Sequence, residues 1–332
     1  MSTRNRDIGI VLIGRNEGER LRCCLRSLHK TGFPQVYVDS GSSDGSVELA
    51  RDFGCTVVEL NMQQPFTAAR ARNAGMERLL KAHPGLDFMQ FIDGDCQLDT
   101  GWLPAARARL ESIPDLAIVC GRRREIQPRA SIYNCLCDME WNTPVGEAEA
   151  CGGDFLARVS ALRQVNGFDP SVVAGEEPEM CFRLRAAGWR IERMDREMTL
   201  HDAAMSRFRQ FWQRARRSGH AYAQTAALHW QSGGRFQWRQ AASILFWTVL
   251  LPLMVILSMP VAPWLAMLLM LGYPILWVKM FVQRIAKYQS GASDSVRYAT
   301  FVLIGKFAQL SGIYEFVRLR LRSQTATIIE YK

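Results

Sequence analysis

The stretch Phe88-Met-Gln-Phe-Ile-Asp-Gly-Asp95 joins a strand-length apolar run to two carboxylates separated by one glycine. The apolar run predicts a buried β-strand that ends at Asp93. Side chains two residues apart in an extended chain point to the same face, so Asp93 and Asp95 would repel each other. A divalent cation with oxygen ligands removes that repulsion. The alternative is an acidic turn without metal, because Asp-Gly is a common turn pair.

Strand and helix patterns alternate through the first part of the chain. Apolar runs predict strands at 8–13, 36–38 and 55–60, and helical spacing predicts helices at 47–53 and 67–82. Such alternation implies βαβ units and a mostly parallel central sheet, an α/β fold class. Ligands of such sheets bind beyond the carboxyl ends of the strands. The polar residues expected at those ends are Arg15, Asn16, Asp39, Asp93 and Asp95.

Two residues near these strand ends suit a ligand that carries a nucleotide and a diphosphate. Asp39 ends a strand, where its carboxylate can accept hydrogen bonds from a base or ribose; a capped turn explains the rest of its loop. Arg72 lies early in a predicted helix, where a cation opposes the helix dipole unless it faces an anion. The alternative for Arg72 is a solvated surface charge. The triplet Arg122–Arg124 is interpreted as a solvated strand end, with a role at an anionic acceptor as the alternative.

Taken in order, the motifs of residues 8–202 resemble those of the family 2 glycosyltransferases, inverting enzymes of GT-A fold that use nucleotide-sugars. The first four motifs are Arg15-Asn-Glu17, Val38-Asp-Ser-Gly-Ser-Ser-Asp-Gly-Ser46, Ala71-Arg-Asn-Ala-Gly75 and Asp93-Gly-Asp95. The later ones are Gly152-Gly-Asp154, Val165-Asn-Gly-Phe-Asp169 and the run from Gly175 to Trp189. Each motif alone is weak, whereas the ordered set is specific.

The resemblance implies roles for the matching residues. Those implied at the nucleotide-sugar donor are Arg15, Asn16, Glu17, Asp39, Ser42, Arg72, Asp93, Gly153 and Asp154. Asp95, with Asp93 close by, is expected to hold a Mg2+ or Mn2+ ion that neutralises the diphosphate leaving group. His201 is a further expected metal ligand, because some relatives place a histidine at this separation from the catalytic acid. A structural histidine is the alternative.

The resemblance places the general base, which takes the proton of the acceptor hydroxyl, at Glu177, with Glu176 and Asp154 as substitutes. The alternative is that Glu176-Glu177 is only the acidic start of a helix, which suits the helix dipole. The chain departs from the family pattern here, since the usual Glu-Asp pair is Glu-Glu, which lengthens the reach by one methylene. The Gln-x-x-Arg-Trp motif of processive synthases is not clearly present, so processive polymerisation is not expected.

A basic and aromatic stretch precedes a long uncharged run. Residues 205–239 contain seven arginines and no acidic residue, a mixture that suits an anionic bilayer surface or single-stranded nucleic acid. The uncharged run 240–278 is, as helix, about 58 Å long, roughly twice the hydrocarbon core of a bilayer. It predicts two transmembrane spans, about 241–259 and 262–281, and argues against nucleic acid; a buried helical insert is the alternative. Basic flanks place both ends in the cytoplasm.

The sequence therefore predicts four parts: a GT-A domain at 1–204, interfacial helices at 205–240, two transmembrane helices within 241–282, and an interfacial helix and tail at 283–332. The expected protein is a metal-dependent inverting glycosyltransferase of a bacterial inner membrane, with its active site facing the cytoplasm. Its expected donor is a UDP-sugar, and its expected acceptor is a lipid-linked glycan or another membrane lipid. The alternatives are a polyprenyl-phosphate sugar synthase and a catalytically silent membrane scaffold.

Overall fold

The computed structural model describes residues 7–230, 236–288 and 290–324, which divide into two compact units. The first unit comprises the chain up to Pro128 together with Glu140–Ala204. The second comprises Arg129–Met139 together with the chain from Met205 onward. Parts of the predicted segments 205–240 and 283–332, including Arg235 of the basic stretch, lie outside the described residues.

The described helices and strands follow one another in a regular order through the first half of the chain. In chain order they are β1 (Ile8–Gly14), α1 (Glu19–His29), β2 (Gln35–Asp39), α2 (Ser46–Asp52), β3 (Thr56–Glu59), α3 (Ala68–Ala82), β4 (Phe88–Asp93), β5 (Cys96–Leu98), α4 (Trp102–Ser112), β6 (Leu116–Glu125), α5 (Ile132–Trp141), β7 (Gly146–Glu147), β8 (Phe155–Arg158), α6 (Val159–Gln164), α7 (Glu176–Ala186), β9 (Arg190–His201), α8 (Phe208–Leu228), α9 (Trp238–Leu245), α10 (Leu251–Ser258), α11 (Pro263–Met270), α12 (Gly272–Tyr288) and α13 (Ala292–Leu321). The strands and helices predicted up to β4 are confirmed.

Within the described residues, nine strands form one sheet with the order β3-β2-β1-β4-β8-β6-β9-β5, and β7 pairs with β9. β1 lies between β2 and β4, and both pairings are parallel. Their register sets Asp39 opposite Gly14 and Asp93 opposite Ile13. Three strands therefore end together at one edge of the sheet, and that edge gathers the polar residues that the sequence singled out.

The α/β fold class is confirmed, although the sheet is mixed rather than mostly parallel. The parallel pairs are β1–β2, β1–β4, β2–β3 and β6–β9. The antiparallel pairs are β4–β8, β5–β9, β6–β8 and β7–β9. A parallel partner needs a crossover connection, usually a helix, before the chain returns. β8 follows β7 without such a helix and enters antiparallel to β4, so the alternation used for the prediction ends before this point.

Helix α3 packs against the sheet at a glycine. A Cβ atom added at Gly75 would lie 2.5 Å from Cγ1 of Val11 and 3.0 Å from Cγ2 of Val38. Side chains in a close-packed interior cannot yield that much space, so the helix comes nearer to the sheet than any larger residue would allow. Arg72 lies one turn earlier in α3 and is buried beneath the same helix.

The second unit pairs α8 with α13 through glycines. A Cβ atom at Gly219 of α8 would lie 2.0 Å from the carbonyl oxygen of Gln309, and one at Gly312 of α13 would lie 2.0 Å from that of Arg216. Small residues let two helix backbones approach this closely. Arg216 also pairs with Glu315, with Nη2 3.0 Å from Oε2. One arginine of the basic stretch is thus ion-paired within the second unit.

Two helices of the second unit are, among the described residues, long and apolar enough to cross a membrane. They are Trp238–Ser258, with 21 residues, and Pro263–Tyr288, with 26 residues. The first is α9 and α10 joined by a π-helical turn at Phe246–Leu250. Only 17% and 6% of the apolar window of each helix is buried inside the protein, whereas the core helix of a soluble protein is mostly buried. By themselves two such helices are weak support for a membrane location.

Candidate active site

A buried arginine lies where β4 ends and α7 begins. Nη2 of Arg72 is 2.8 Å from Oδ1 of Asp93. Its Nη1 is 2.6 Å from Oε1 of Glu176 and 3.0 Å from Oε1 of Glu177. The arginine side chain is 2% exposed, so the interpretation as a solvated surface charge is wrong. One guanidinium contacts three carboxylates, because a helix and a strand end converge on it.

A second arginine, Arg123 of β6, holds the other side of the same cluster. Its Nε donates to Oδ2 of Asp154 at 2.9 Å, and its Nη2 lies 3.2 Å from Oδ2 of Asp93. The guanidinium lies over the ring of Trp141 at 5.6 Å. The interpretation of Arg122–Arg124 as a solvated strand end is therefore wrong for Arg123 and also for Arg122, which is 5% exposed, whereas the Arg124 side chain is 49% exposed. The apolar run before the triplet could have indicated this burial, because the strand β6 continues through the triplet to Glu125.

Asp154 is fully buried, and both of its oxygens are engaged. The backbone N–H of Asp93 donates to Oδ1 at 3.0 Å, and the hydroxyl of Thr199 donates to Oδ2 at 2.7 Å. The residue before it has no room for a side chain. A Cβ atom at Gly153 would lie 2.5 Å from Oδ2 of Asp93 and 2.9 Å from Nη2 of Arg72. In this structure Gly153 and Asp154 fix the end of β4, and Asp154 is not placed to replace Glu177 as a base.

Glu177 has the properties of a general base. Its side chain is 14% exposed, whereas that of Glu176 is 3% exposed. Burial raises the pKa of Glu177 to about 7; the charge of Glu176 also raises it, and the guanidinium of Arg72 lowers it. A carboxylate with this pKa exchanges a proton readily at neutral pH. Perturbed pKa values of this kind cluster at functional sites.

A candidate metal site lies where β5 begins and β9 ends. Ligand atoms of Asp95, Cys96 and His201 lie within 4.8 Å of one another, and Nε2 of His201 is 3.3 Å from Oδ1 of Asp95. Burial lowers the pKa of His201, so its imidazole is neutral at pH 7, the form that binds metals. Burial raises the pKa of the Cys96 thiol, which stays protonated and is a poor ligand. The remaining oxygen and nitrogen donors fit Mg2+ or Mn2+.

Asp93 and Asp95 do not lie on one face of an extended chain, so that premise of the sequence argument is wrong. β4 ends at Asp93, and Gly94 and Asp95 form a turn before β5. The backbone N–H of Gly94 donates to the carbonyl of Ile13 at 2.8 Å. Asp93 consequently faces the two arginines, whereas Asp95 faces His201. A metal contact of Asp93 stays a prediction.

The loops after β1 and β2 bring three predicted donor residues together. The backbone N–H of Asn16 donates to Oγ of Ser42 at 2.9 Å. Oδ2 of Asp39 accepts from the backbone N–H groups of Gly41 and Ser42, both at 2.8 Å, and Oδ1 accepts from the hydroxyl of Tyr37 at 3.1 Å. Asp39 therefore shapes its own loop, and a contact with a base or ribose stays a prediction.

The two remaining predicted donor residues flank Asn16. The guanidinium of Arg15 lies over the ring of Phe66 at 4.8 Å. Oε2 of Glu17 is 2.9 Å from Nη2 of Arg20. Both are placed on the loop after β1, beside the carboxyl ends of β2 and β4.

Comparison with known proteins assigns most of the chain to two family models. Residues 10–149 match the model described as "Glycosyl transferase family 2". Residues 148–282 match the model described as "Glycosyl transferase family group 2". The two matches together run from β1 into α12.

Curated and solved relatives carry similar descriptions. The chain is 28% identical over 211 residues to Pre-mycofactocin glycosyltransferase of Mycobacterium tuberculosis, a match that covers 60% of this chain and 43% of that protein. It is 22% identical over 195 residues to Glycosyltransferase AglE of Haloferax volcanii, covering 55% and 62%. The chain thus spans less than two thirds of either relative. Mannosyltransferase PcManGT from Pyrobaculum calidifontis superposes with a TM-score of 0.60 at 15% identity, covering 94% of this chain and 88% of that one; this likeness concerns the fold.

The glycine pair before Asp154 provides a matched test of the packed cluster. Gly153→Ala should lower the free energy of unfolding by about 1–3 kcal/mol, because its methyl group collides with the Asp93 and Arg72 side chains. Gly152→Ala should cost almost nothing, since no atom lies within 4 Å of a Cβ there. Denaturant unfolding of both variants measures the difference. Equal stability losses would contradict the packing described.

Proposed function

The chain belongs to the family 2 glycosyltransferases and has their GT-A fold, and we propose that it moves a sugar from a nucleotide-sugar to an acceptor with inversion of configuration. The observation that carries this proposal is Glu177, a partly exposed carboxylate with a pKa of about 7 beside the edge where three strands end. A general base works best when its pKa lies near the working pH. The sequence placed the base at the same residue from its motif alone.

In the proposed mechanism Glu177 takes the proton of the acceptor hydroxyl while the hydroxyl oxygen attacks the anomeric carbon. The bond from that carbon to the donor diphosphate breaks on the opposite face, which inverts the configuration. Glu176 suits this role less well, because it is buried and its Oε1 lies 2.6 Å from Arg72. Its proposed contribution is electrostatic, since its charge helps to raise the pKa of Glu177.

Asp95 and His201 are the residues proposed to hold Mg2+ or Mn2+. Their donor atoms are close together and suit such ions: Nε2 of His201 faces Asp95, and Nδ1 lies 4.0 Å from Oε2 of Glu125, a carboxylate that can orient the imidazole. When bound, the ion would neutralise the charge that develops on the diphosphate. PcManGT, the fold neighbour described above, was solved with GDP-mannose and Mn2+, which is consistent with this proposal.

The donor is proposed to bind at the loops after β1 and β2, with a UDP-sugar as the first candidate. Hydrogen bonds between Asn16 and Ser42, and within the Asp39 loop, hold these loops in place before any ligand arrives. A preformed loop binds with less loss of conformational entropy. A panel of UDP- and GDP-sugars, followed by nucleotide release, identifies the donor.

The acceptor is proposed to be a membrane lipid or lipid-linked glycan, reached from the cytoplasmic face of a bacterial inner membrane. The helices Trp238–Ser258 and Pro263–Tyr288 are proposed to span the bilayer, because both are apolar and little buried. Helix α13 is proposed to lie at the interface: it follows the second span closely and ends in Arg318, Arg320 and Arg322. A polyprenyl-phosphate acceptor is one member of this class and is tested with the others.

Replacing Glu177 tests the base. Glu177→Gln should lower kcat about 10²–10⁴-fold and leave donor affinity nearly unchanged, because the base acts on the acceptor. Glu177→Asp restores the aspartate that is usual in the family at this position, so its kcat should fall far less than that of Glu177→Gln. In the wild type, kcat/KM for the acceptor should rise with pH up to about 7 and then level, because only deprotonated Glu177 is active. A kcat/KM that does not change with pH around 7, or an active Glu177→Gln variant, would contradict the assignment.

Metal dependence tests the proposed site formed by Asp95 and His201. Asp95→Asn and His201→Ala should each raise the Mn2+ concentration needed for half-maximal activity about 10-fold or more, as lost ligands do. Cys96→Ser is the matched control and should not change it, since the thiol is protonated. Mn2+ affinity, measured by calorimetry, should weaken only at a pH below the ordinary histidine value of 6.5, because burial lowers the pKa of His201. Full activity of the wild type in EDTA would exclude the metal role.

Charged substitutions on the two apolar helices test the spans. Leu250 and Ile275 are 48% and 65% exposed, so in a bilayer their side chains would face lipid. The double variant Leu250→Lys, Ile275→Lys should lose carbonate-resistant membrane association, because both positions lie near the middle of their helices and each lysine costs about 2.5–3.5 kcal/mol near the middle of a bilayer. Met62→Lys in the first unit is the control and should fractionate like the wild type. If the double variant and the wild type both pellet equally with membranes, or both stay soluble, the spans are wrong.

A further inference from the structure

Both terminal nitrogens of the Arg72 guanidinium are occupied by carboxylates. Nη1 is occupied by the two glutamates of α7 and Nη2 by Asp93. The guanidinium also lies 5.6 Å from the ring centre of Phe168. An arginine that is 2% exposed and faces three carboxylates has little left to offer a phosphate.

The position of Arg72 is fixed by its neighbours in α3. Asn73, the next residue, donates from Nδ2 to the carbonyl of Phe168 at 2.7 Å and accepts from the N–H of Phe168 at 3.0 Å. This pair of hydrogen bonds holds the Phe168 ring beside the guanidinium. Gly75, one turn later, sets the depth of the helix against the sheet. The arginine is therefore preorganised by the fold.

We propose that Arg72 is the positioning residue for the base: it holds Glu177 at the start of α7 and ties it to the strand end that carries Asp93. In this role it does not bind the donor, which differs from the role that the family resemblance implied. The proposal rests on the proposed function of Glu177 as the base. The proposal explains why arginine is needed at this position. Its planar guanidinium holds carboxylates at two separate nitrogens, whereas the compact ammonium group of lysine cannot fix them in that geometry.

Electrostatics give Arg72 a second effect on Glu177. Burial and the charges of Glu176 and Asp93 raise the pKa of this glutamate, and Arg72 is the neighbour that lowers it. The charged or titratable groups that act on Glu177 are Glu176 on its own helix, Arg72 on α3, Asp93 on β4, Arg123 on β6 and Cys151 in the loop before β8. Without Arg72 a larger fraction of Glu177 would be protonated, and so inactive, at neutral pH.

The test is the pH dependence of Arg72→Lys in the full-length protein. Lysine keeps the charge but lacks the planar fork, so Glu177 should lose its contact. The acidic limb of kcat/KM for the acceptor should move to higher pH by about 0.5 unit or more, and kcat should fall about 10–100-fold. The Kd of the donor should stay within about threefold of the wild type, because a positioning residue leaves donor binding intact.

Two further variants complete the test: one should shift the pH profile in the opposite direction, and the other should not shift it. Glu176→Gln removes a charge that raises the pKa of Glu177, so its acidic limb should move to lower pH. Arg183→Lys lies on the same helix but pairs with Glu179, with Nη2 2.7 Å from Oε2, and should leave the profile in place. If Arg72→Lys does not fold, the charge-balanced double variant Arg72→Met, Glu176→Gln replaces it. That variant should keep donor affinity and lose turnover.

The outcomes separate this proposal from the assignment of the base. If Glu177→Gln is inactive but Arg72→Lys leaves the acidic limb unmoved, Arg72 does not position the base. If Arg72→Lys weakens donor binding about tenfold or more and does not shift the acidic limb of the pH profile, Arg72 is a donor contact and the proposal is overturned. If Glu177→Gln stays active, the proposed base itself fails, whatever Arg72 does.

Discussion

The ion pairs of Arg72 with Asp93, Glu176 and Glu177 are the constraint on which the active-site edge depends. Removing a carboxylate from water costs several kcal/mol unless a partner compensates, so one buried and two partly buried carboxylates at one point require a cation between them. Arg123 does the same for Asp93 and Asp154 from the opposite side. The shape of this edge, including the glycine at position 153, follows from fitting two guanidinium groups among these acids.

Much of the first unit could be predicted because its signals are local. Strand-length apolar runs, helical spacing and the polar residues that end each strand are properties of short windows of sequence. The register of β1 with β2 and β4 then brings these ends together, so Asp39 and Asp93 share an edge once the parallel strand order is known. Glu177 could be named as the candidate base because a motif fixes it relative to the residues beside it in the chain.

What could not be predicted depends on partners far apart in sequence. Nothing near Arg72 reveals that Glu176, 104 residues later, receives its Nη1. Arg123 stands in a run of three arginines, and only the sheet decides that this one turns inward to Asp154. The turn at Gly94 is a similar case: a one-residue change of direction sends Asp95 toward His201 and leaves Asp93 with the arginines. The antiparallel part of the sheet could not be predicted for the same reason, since β8 follows a loop and pairs with β4, which lies far earlier in the chain.

The placement of β9 has a consequence for how the chain reaches its native state. β9 pairs with β5, β6 and β7, and it supplies both Thr199 and His201 to the clusters at the sheet edge. During synthesis, domains fold as their residues emerge, and pairings between distant segments form slowly. The first hundred residues contain most of the donor loops, yet Asp154 and Asp95 lack their β9 partners until residue 201 has been made. Until then these carboxylates lack part of their native contacts and the nascent chain has open strand edges, so this stage of synthesis is the one most exposed to misfolding.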